Sequence, residues 1–113
     1  MKLIWVSVRK ASDLCSTTTY SILEGLSQRG HELVFLSPKP FDENTSWTNI
    51  SLQQSSVKGF QASSLASSAL VWFKTLRPAK DQCIIVDWPL ASKLGPYLSE
   101  AGHRILLMDR SPP

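Results

Sequence analysis

The sequence predicts an α/β fold, a Rossmann-like, doubly wound parallel sheet of about five strands in a three-layer α/β/α domain spanning all 113 residues. Two observations carry that prediction. Apolar runs too continuous for a strand with one wet face alternate with stretches of helical period. The junctions Arg29-Gly30-His31-Glu32-Leu33 and Ala101-Gly102-His103-Arg104-Ile105 also repeat one another, each closing a helix and opening a strand. A hydrophobic share of 42% with 19% charged residues is ordinary for a globular chain and excludes disordered or collagenous classes. At this length a core forms without the support of metals or disulfides.

The elements follow in order. Leu3-Ile4-Trp5-Val6-Ser7-Val8 is β-branched and aromatic throughout and reads as a strand buried on both faces. Residues 16–29 place Thr19, Ile22, Leu23 and Leu26 on one helical stripe, with Ser16 expected as N-cap and Gly30 just past the end. Glu32-Leu33-Val34-Phe35-Leu36 makes the second strand, closed by Ser37-Pro38-Lys39-Pro40. Residues 41–56 lack a clear period and read as a long Ser-rich loop around a weak strand at 49–52. In 61–76, Leu65, Ala69, Trp72, Phe73 and Leu76 recur at helical spacing up to Arg77-Pro78. Cys83-Ile84-Ile85-Val86-Asp87 is a short apolar strand ending in a carboxylate. Pro89 suits the first turn of the next helix, whose inward stripe is Leu90, Leu94, Tyr97, Leu98 and Ala101, with a kink expected at Pro96. Arg104-Ile105-Leu106-Leu107-Met108 is the last strand.

Several function classes fall away. A net charge of +3 without a clustered Lys/Arg stripe argues against a nucleic-acid partner. No apolar run reaches the ~18–20 residues of a membrane span, which leaves only peripheral contact, and the N-terminus lacks a signal-peptide cleavage site. Cys15 and Cys83 form neither a disulfide framework nor a metal set, so we expect no metal, reduced thiols and a cytoplasmic setting, with Cys83 in the core. Both histidines belong to helix-to-strand junctions at the amino edge of the sheet and are expected to be structural.

In doubly wound sheets, ligands bind at the opposite, carboxyl edge. After the first strand come Arg9 and Lys10, then Ser16-Thr17-Thr18 at a helix start, where hydroxyls and free N–H groups favour an anion. The fourth strand is followed by Asp87 and Trp88, the fifth by Asp109 and Arg110. If the first, fourth and fifth strands are neighbours, these residues share one crevice and form a candidate substrate site. A Gly-x-Gly-x-x-Gly fingerprint is missing, which argues against a dinucleotide, and no cofactor is expected. Trp47, Trp72 and Trp88 are each open to two roles, stacking on a sugar or packing, with Trp88 standing at the crevice.

Lys2-Leu3-Ile4-Trp5-Val6-Ser7 and the passage from Ser21 to Ser37, with its Arg29-Gly30-His31-Glu32 junction, resemble the N-terminal domain of GT-B glycosyltransferases, family 4 in particular. Asp81-Gln82-Cys83-Ile84-Ile85-Val86-Asp87-Trp88-Pro89-Leu90-Ala91 is similar to a later strand-to-helix passage of the same domain. The resemblance implies the acceptor-side half of a two-domain enzyme whose C-terminal domain would bind the nucleotide-sugar. That places 1–113 at the N-terminal end of a longer enzyme and makes it inactive alone. It also implies an anionic or glycosidic acceptor, contacted by Arg9, Lys10 and Arg110. Two departures stand out: Ala11-Ser12-Asp13-Leu14 replaces the usual glycine pair, and Met108-Asp109-Arg110-Ser111 replaces a His-Gly, so no catalytic residue is assigned. Ser16-Thr17-Thr18-Thr19 also faintly resembles the phosphate loop of flavodoxins, which gives an alternative FMN-binding electron carrier; a non-catalytic interaction module is the third reading.

Overall fold

The computed structural model describes residues 1–8, 16–39, 41 and 45–108. Its elements run β1 (Lys2–Val6), α1 (Ser16–Gln28), β2 (Glu32–Ser37), β3 (Thr48–Ser51), α2 (Gln61–Phe73), β4 (Gln82–Asp87), α3 (Trp88–Glu100) and β5 (Ile105–Met108). The five strands form one sheet in the order β3-β2-β1-β4-β5, every pairing parallel. The expected doubly wound sheet is therefore present, with β1, β4 and β5 side by side.

Each face of the sheet has its own core. Ile4, Val6, Val34, Leu36, Ile84 and Val86 alternate onto the face covered by α2 and α3. There Leu65, Ala69 and Phe73 of α2 and Leu90, Leu94 and Leu98 of α3 are buried, the stripes their spacing predicts. Each fully buried leucine of this kind contributes about 1.5–3 kcal/mol relative to exposure. The other face carries Leu3, Trp5, Leu33, Phe35, Cys83 and Ile85 against Leu23 of α1. Among the described residues α1 is the only helix on this side, and aromatic rings extend its cover. Trp47 is 6% exposed, and Tyr20 meets both Phe41 and Trp47 edge-on at 5.3 and 5.1 Å. Trp47 is thus a core residue, and its indole N–H donates to Asn49 Oδ1 at 3.0 Å.

Local details refine the expected boundaries. α1 is described from Ser16, and the residues that precede it lie outside the described ones. α2 ends at Phe73, earlier than Arg77-Pro78 would force, with Lys74 as C-cap. Pro96 lies inside α3, which runs through it to Glu100, the extent its inward stripe implied. Gly30 and Gly102 both take φ = +90°, the left-handed helix exit that their matching junctions foretold. His31 and His103 lie at the amino edge, just ahead of β2 and β5. Burial lowers the pKa of His103 below its ordinary 6.5.

Candidate functional site

The carboxyl edge is organised around Asp87, the last residue of β4. Its chain neighbour in register is β1, because Val6 pairs with Val86. Beyond Val6, β1 delivers Ser7 and Val8 to the same level. Trp5 Nε1 donates to Asp87 Oδ1 at 2.7 Å, while Ser7 Oγ and the Val8 N–H donate to Oδ2 at 2.5 and 3.2 Å. Asp87 is 5% exposed, Trp5 1% and Ser7 fully buried. A buried charge is tolerated only when its lone pairs are satisfied, and three donors supply that here. Asp87 therefore ties the exit of β1 to the exit of β4, with both carboxylate oxygens engaged inside the protein.

Trp88, one residue on, has the opposite environment. It opens α3 and is 61% exposed at the same edge. The bonds of Asp87 hold the backbone from which that ring projects. Thr17 and Thr18 are exposed in the first turn of α1, and Ser16 begins that helix. Arg9, Lys10, Asp109 and Arg110 lie outside the described residues. Of the nine predicted site residues, the described ones thus group at the start of α1 and at the β4–α3 junction.

Three participants were absent from the predicted set. Trp5 and Ser7 are the side-chain donors to Asp87, and Ser37 ends β2 one strand over. The Ser7 N–H donates to the Leu36 carbonyl at 2.8 Å, which brings the exits of β1 and β2 together. Ser37 is fully buried and its Oγ has no hydrogen-bond partner. An unmet buried hydroxyl costs about 1–3 kcal/mol, so this one is a ready hydrogen-bonding group at the carboxyl edge of the sheet. The available signal was positional: Ser7 and Ser37 are the hydroxyl residues that follow apolar strand runs.

The Ser-rich middle has a structural use. The Gln53 N–H donates to Ser68 Oγ at 3.0 Å and the Ser55 N–H to Ser64 Oγ at 2.7 Å, so α2 hydroxyls pin the chain leaving β3. Between them lies a groove of about 620 Å³ with no charged residue in its lining. Among the described residues there is no group of His, Cys, Asp and Glu able to hold a metal, and no helix long and apolar enough to cross a membrane. Burial raises the pKa of Cys83, with Arg104 opposing, and the thiol is free and buried.

No protein-family model and no curated protein matches this chain. Among solved structures, a UGT transferase from Siraitia grosvenorii, crystallised in complex with UDP, superposes on 96% of the chain with a TM-score of 0.66 and 18% identity. The match takes up 27% of that longer chain, so these residues span about a quarter of its length. The fold is accordingly a Rossmann-like α/β domain of the type that GT-B glycosyltransferases contain.

Proposed function

We propose that this chain is the acceptor-side domain of a GT-B glycosyltransferase, of family 4 character by its Arg29-Gly30-His31-Glu32 junction. It would form the N-terminal part of a two-domain enzyme in the cytoplasm. A C-terminal domain outside these residues would bind the nucleotide-sugar, and this domain alone would orient an acceptor without turning it over. Its contribution is orientation and charge neutralisation, which lower a transfer barrier by holding the reacting groups in line. The observation that carries the reading is the exposed Trp88 ring beside the locked Asp87. An aromatic face presented from a fixed backbone suits the apolar face of a sugar ring. Thr17, Thr18 and the start of α1 offer donors for an anionic group on the acceptor, and Arg9, Lys10 and Arg110 would add positive charge. Asp87 then acts by positioning Ser7, Val8 and Trp88.

The test is titration of the isolated chain with phosphorylated and carboxylated glycosides, and separately with UDP, followed by amide and indole NMR shifts. We expect glycosides to shift the Trp88 indole and the first-turn amides of α1. Trp88→Ala should weaken that binding at least about fivefold, roughly 1 kcal/mol, with the melting temperature preserved. Binding of UDP without any glycoside response would assign the edge to a donor and overturn the acceptor reading.

A further inference from the structure

The groove between α2 and the chain leaving β3 stands apart from the crevice. β3 is an edge strand, and both β2 and β1 separate it from β4, whose end carries Asp87 and Trp88. Its volume of about 620 Å³ falls within the ~300–1,000 Å³ usual for small-molecule sites. The connection supplies Gln53, Gln54 and Ser55 to its lining, and α2 supplies three serines and Val71. The connection is firmly held. Leu52 is buried and its N–H donates to the Ser37 carbonyl at 2.8 Å, while Ser68 and Ser64 take the N–H groups of Gln53 and Ser55. Those bonds occupy the backbone and leave the amide side chains over: among the described residues, those of Gln53 and Gln54 have no hydrogen-bond partner. Each brings a carbonyl acceptor and two N–H donors from a fixed stretch of chain. Lys58, the one charged residue of 52–60, is outside the lining. An aromatic residue stands at one end. Phe60 is 63% exposed, and the Ser64 N–H donates to its carbonyl at 3.0 Å, which makes it part of the first turn of α2. Residues three and four apart share a helix face, so Phe60, Ser64, Ser67 and Val71 fall on one stripe.

We infer that this groove binds a neutral oligosaccharide. A lining without charge offers nothing to offset the desolvation of a phosphate, carboxylate or ammonium group. Val71 is its one aliphatic side chain, too little apolar wall for a lipid tail or for the anchor residues of a peptide. The ligand that fits is uncharged, dense in hydroxyls and apolar on its ring faces. The paired acceptor and donors of a primary amide match neighbouring sugar hydroxyls, which both give and accept hydrogen bonds. The Phe60 ring, out in water at the start of the stripe, suits the C–H face of a pyranose. The inference does not rest on the acceptor reading, since it concerns other residues at another end of the sheet.

The test titrates the 113-residue chain with the uncharged trisaccharides maltotriose, cellotriose and triacetylchitotriose, and with trigalacturonate as a carboxylated counterpart. Amide NMR shifts, backbone and glutamine side chain alike, and sedimentation equilibrium are the readouts. We expect at least one uncharged trisaccharide to shift the Gln53 and Gln54 side-chain amides together with the Phe60 and Ser64 N–H groups, and trigalacturonate to leave all of them unmoved. A Gln53→Ala, Gln54→Ala double variant should weaken that binding at least about tenfold with its melting temperature preserved. Phe60→Ala, a change at an exposed position, should weaken it at least roughly fivefold. Trp88→Ala should keep the groove response at wild-type strength. Absence of a groove shift with all of the uncharged trisaccharides, or an equal shift with trigalacturonate, would overturn the inference. Loss of the response in Trp88→Ala would overturn it by assigning the sugar to the crevice, and a dimer that shields Phe60 would overturn it in favour of a second copy.

Discussion

At the scale of single residues, Asp87 carries more of the structure than any other polar group described. Its carboxylate accepts from Trp5, Ser7 and Val8, donors that belong to a strand some 80 positions earlier in the chain. Asp87→Ala would remove the acceptor that the Trp5 indole N–H, the Ser7 hydroxyl and the Val8 N–H share. Each buried loss of this kind costs about 1–3 kcal/mol, and bonds to a charged partner stand at the upper end. We therefore expect Asp87→Ala to destabilise the chain by roughly 3 kcal/mol or more, and the isosteric Asp87→Asn by about half as much. Urea unfolding followed by tryptophan fluorescence measures both. A loss below about 1 kcal/mol for Asp87→Ala would mean that water replaces the carboxylate and that the edge is less enclosed than its geometry implies.

At the scale of elements, the helices were legible because burial enforces their period. The stripes Leu65-Ala69-Phe73 and Leu90-Leu94-Leu98 appear in the sequence and recur as buried residues. Helix ends were less legible where packing rather than a breaker sets them: α2 stops before Arg77-Pro78, whereas α3 runs through Pro96 to Glu100 as its stripe implied. The candidate site was legible only as an address. The polar residues after strand ends could be named, but the partners of Asp87 depend on β1 lying beside β4, which no local pattern encodes. The helices also retain slack. Gly25 in α1 and Gly95 in α3 have open space where a Cβ would stand, and neither has a positive φ. Alanine at either position should stabilise the chain by about 0.5–1 kcal/mol, because it reduces the freedom of the unfolded state without a clash. Gly102→Ala serves as contrast: with φ at +90° it should destabilise by roughly 1–2 kcal/mol. Thermal unfolding of the three variants gives the signs directly, and a destabilised Gly25→Ala or Gly95→Ala would show that the helix surface is engaged in packing.

At the scale of the whole molecule, the sheet order turns burial into a gradient of stability. β1 is central, paired with β2 and β4, and bonded through Trp5 and Ser7 to Asp87. β4 is buried along its full length, between β1 and β5. The edges lack these supports: β3 is four residues and half-buried at best, and β5 exposes two of its four side chains. Local opening costs least where buried apolar contact is lowest. Amide exchange should therefore be slowest in Ile4, Trp5, Ile84 and Ile85, intermediate in β2, and fastest in β3 and β5. The two faces should also separate. The α2–α3 face is covered by two helices with three fully buried leucines in α3, whereas α1 buries one leucine fully and shares its side with aromatic rings from the β2–β3 connection. α1 should then open at lower free energy than α3, which places the most adaptable helix at the start of the candidate acceptor edge. Residue-resolved exchange under mildly denaturing conditions orders these units. If α1 exchanged with the global unfolding transition while α3 opened first, the rigid part of the domain would lie on the α1 face, and the adaptability assigned to the candidate edge would have to be sought around Trp88 in α3 instead.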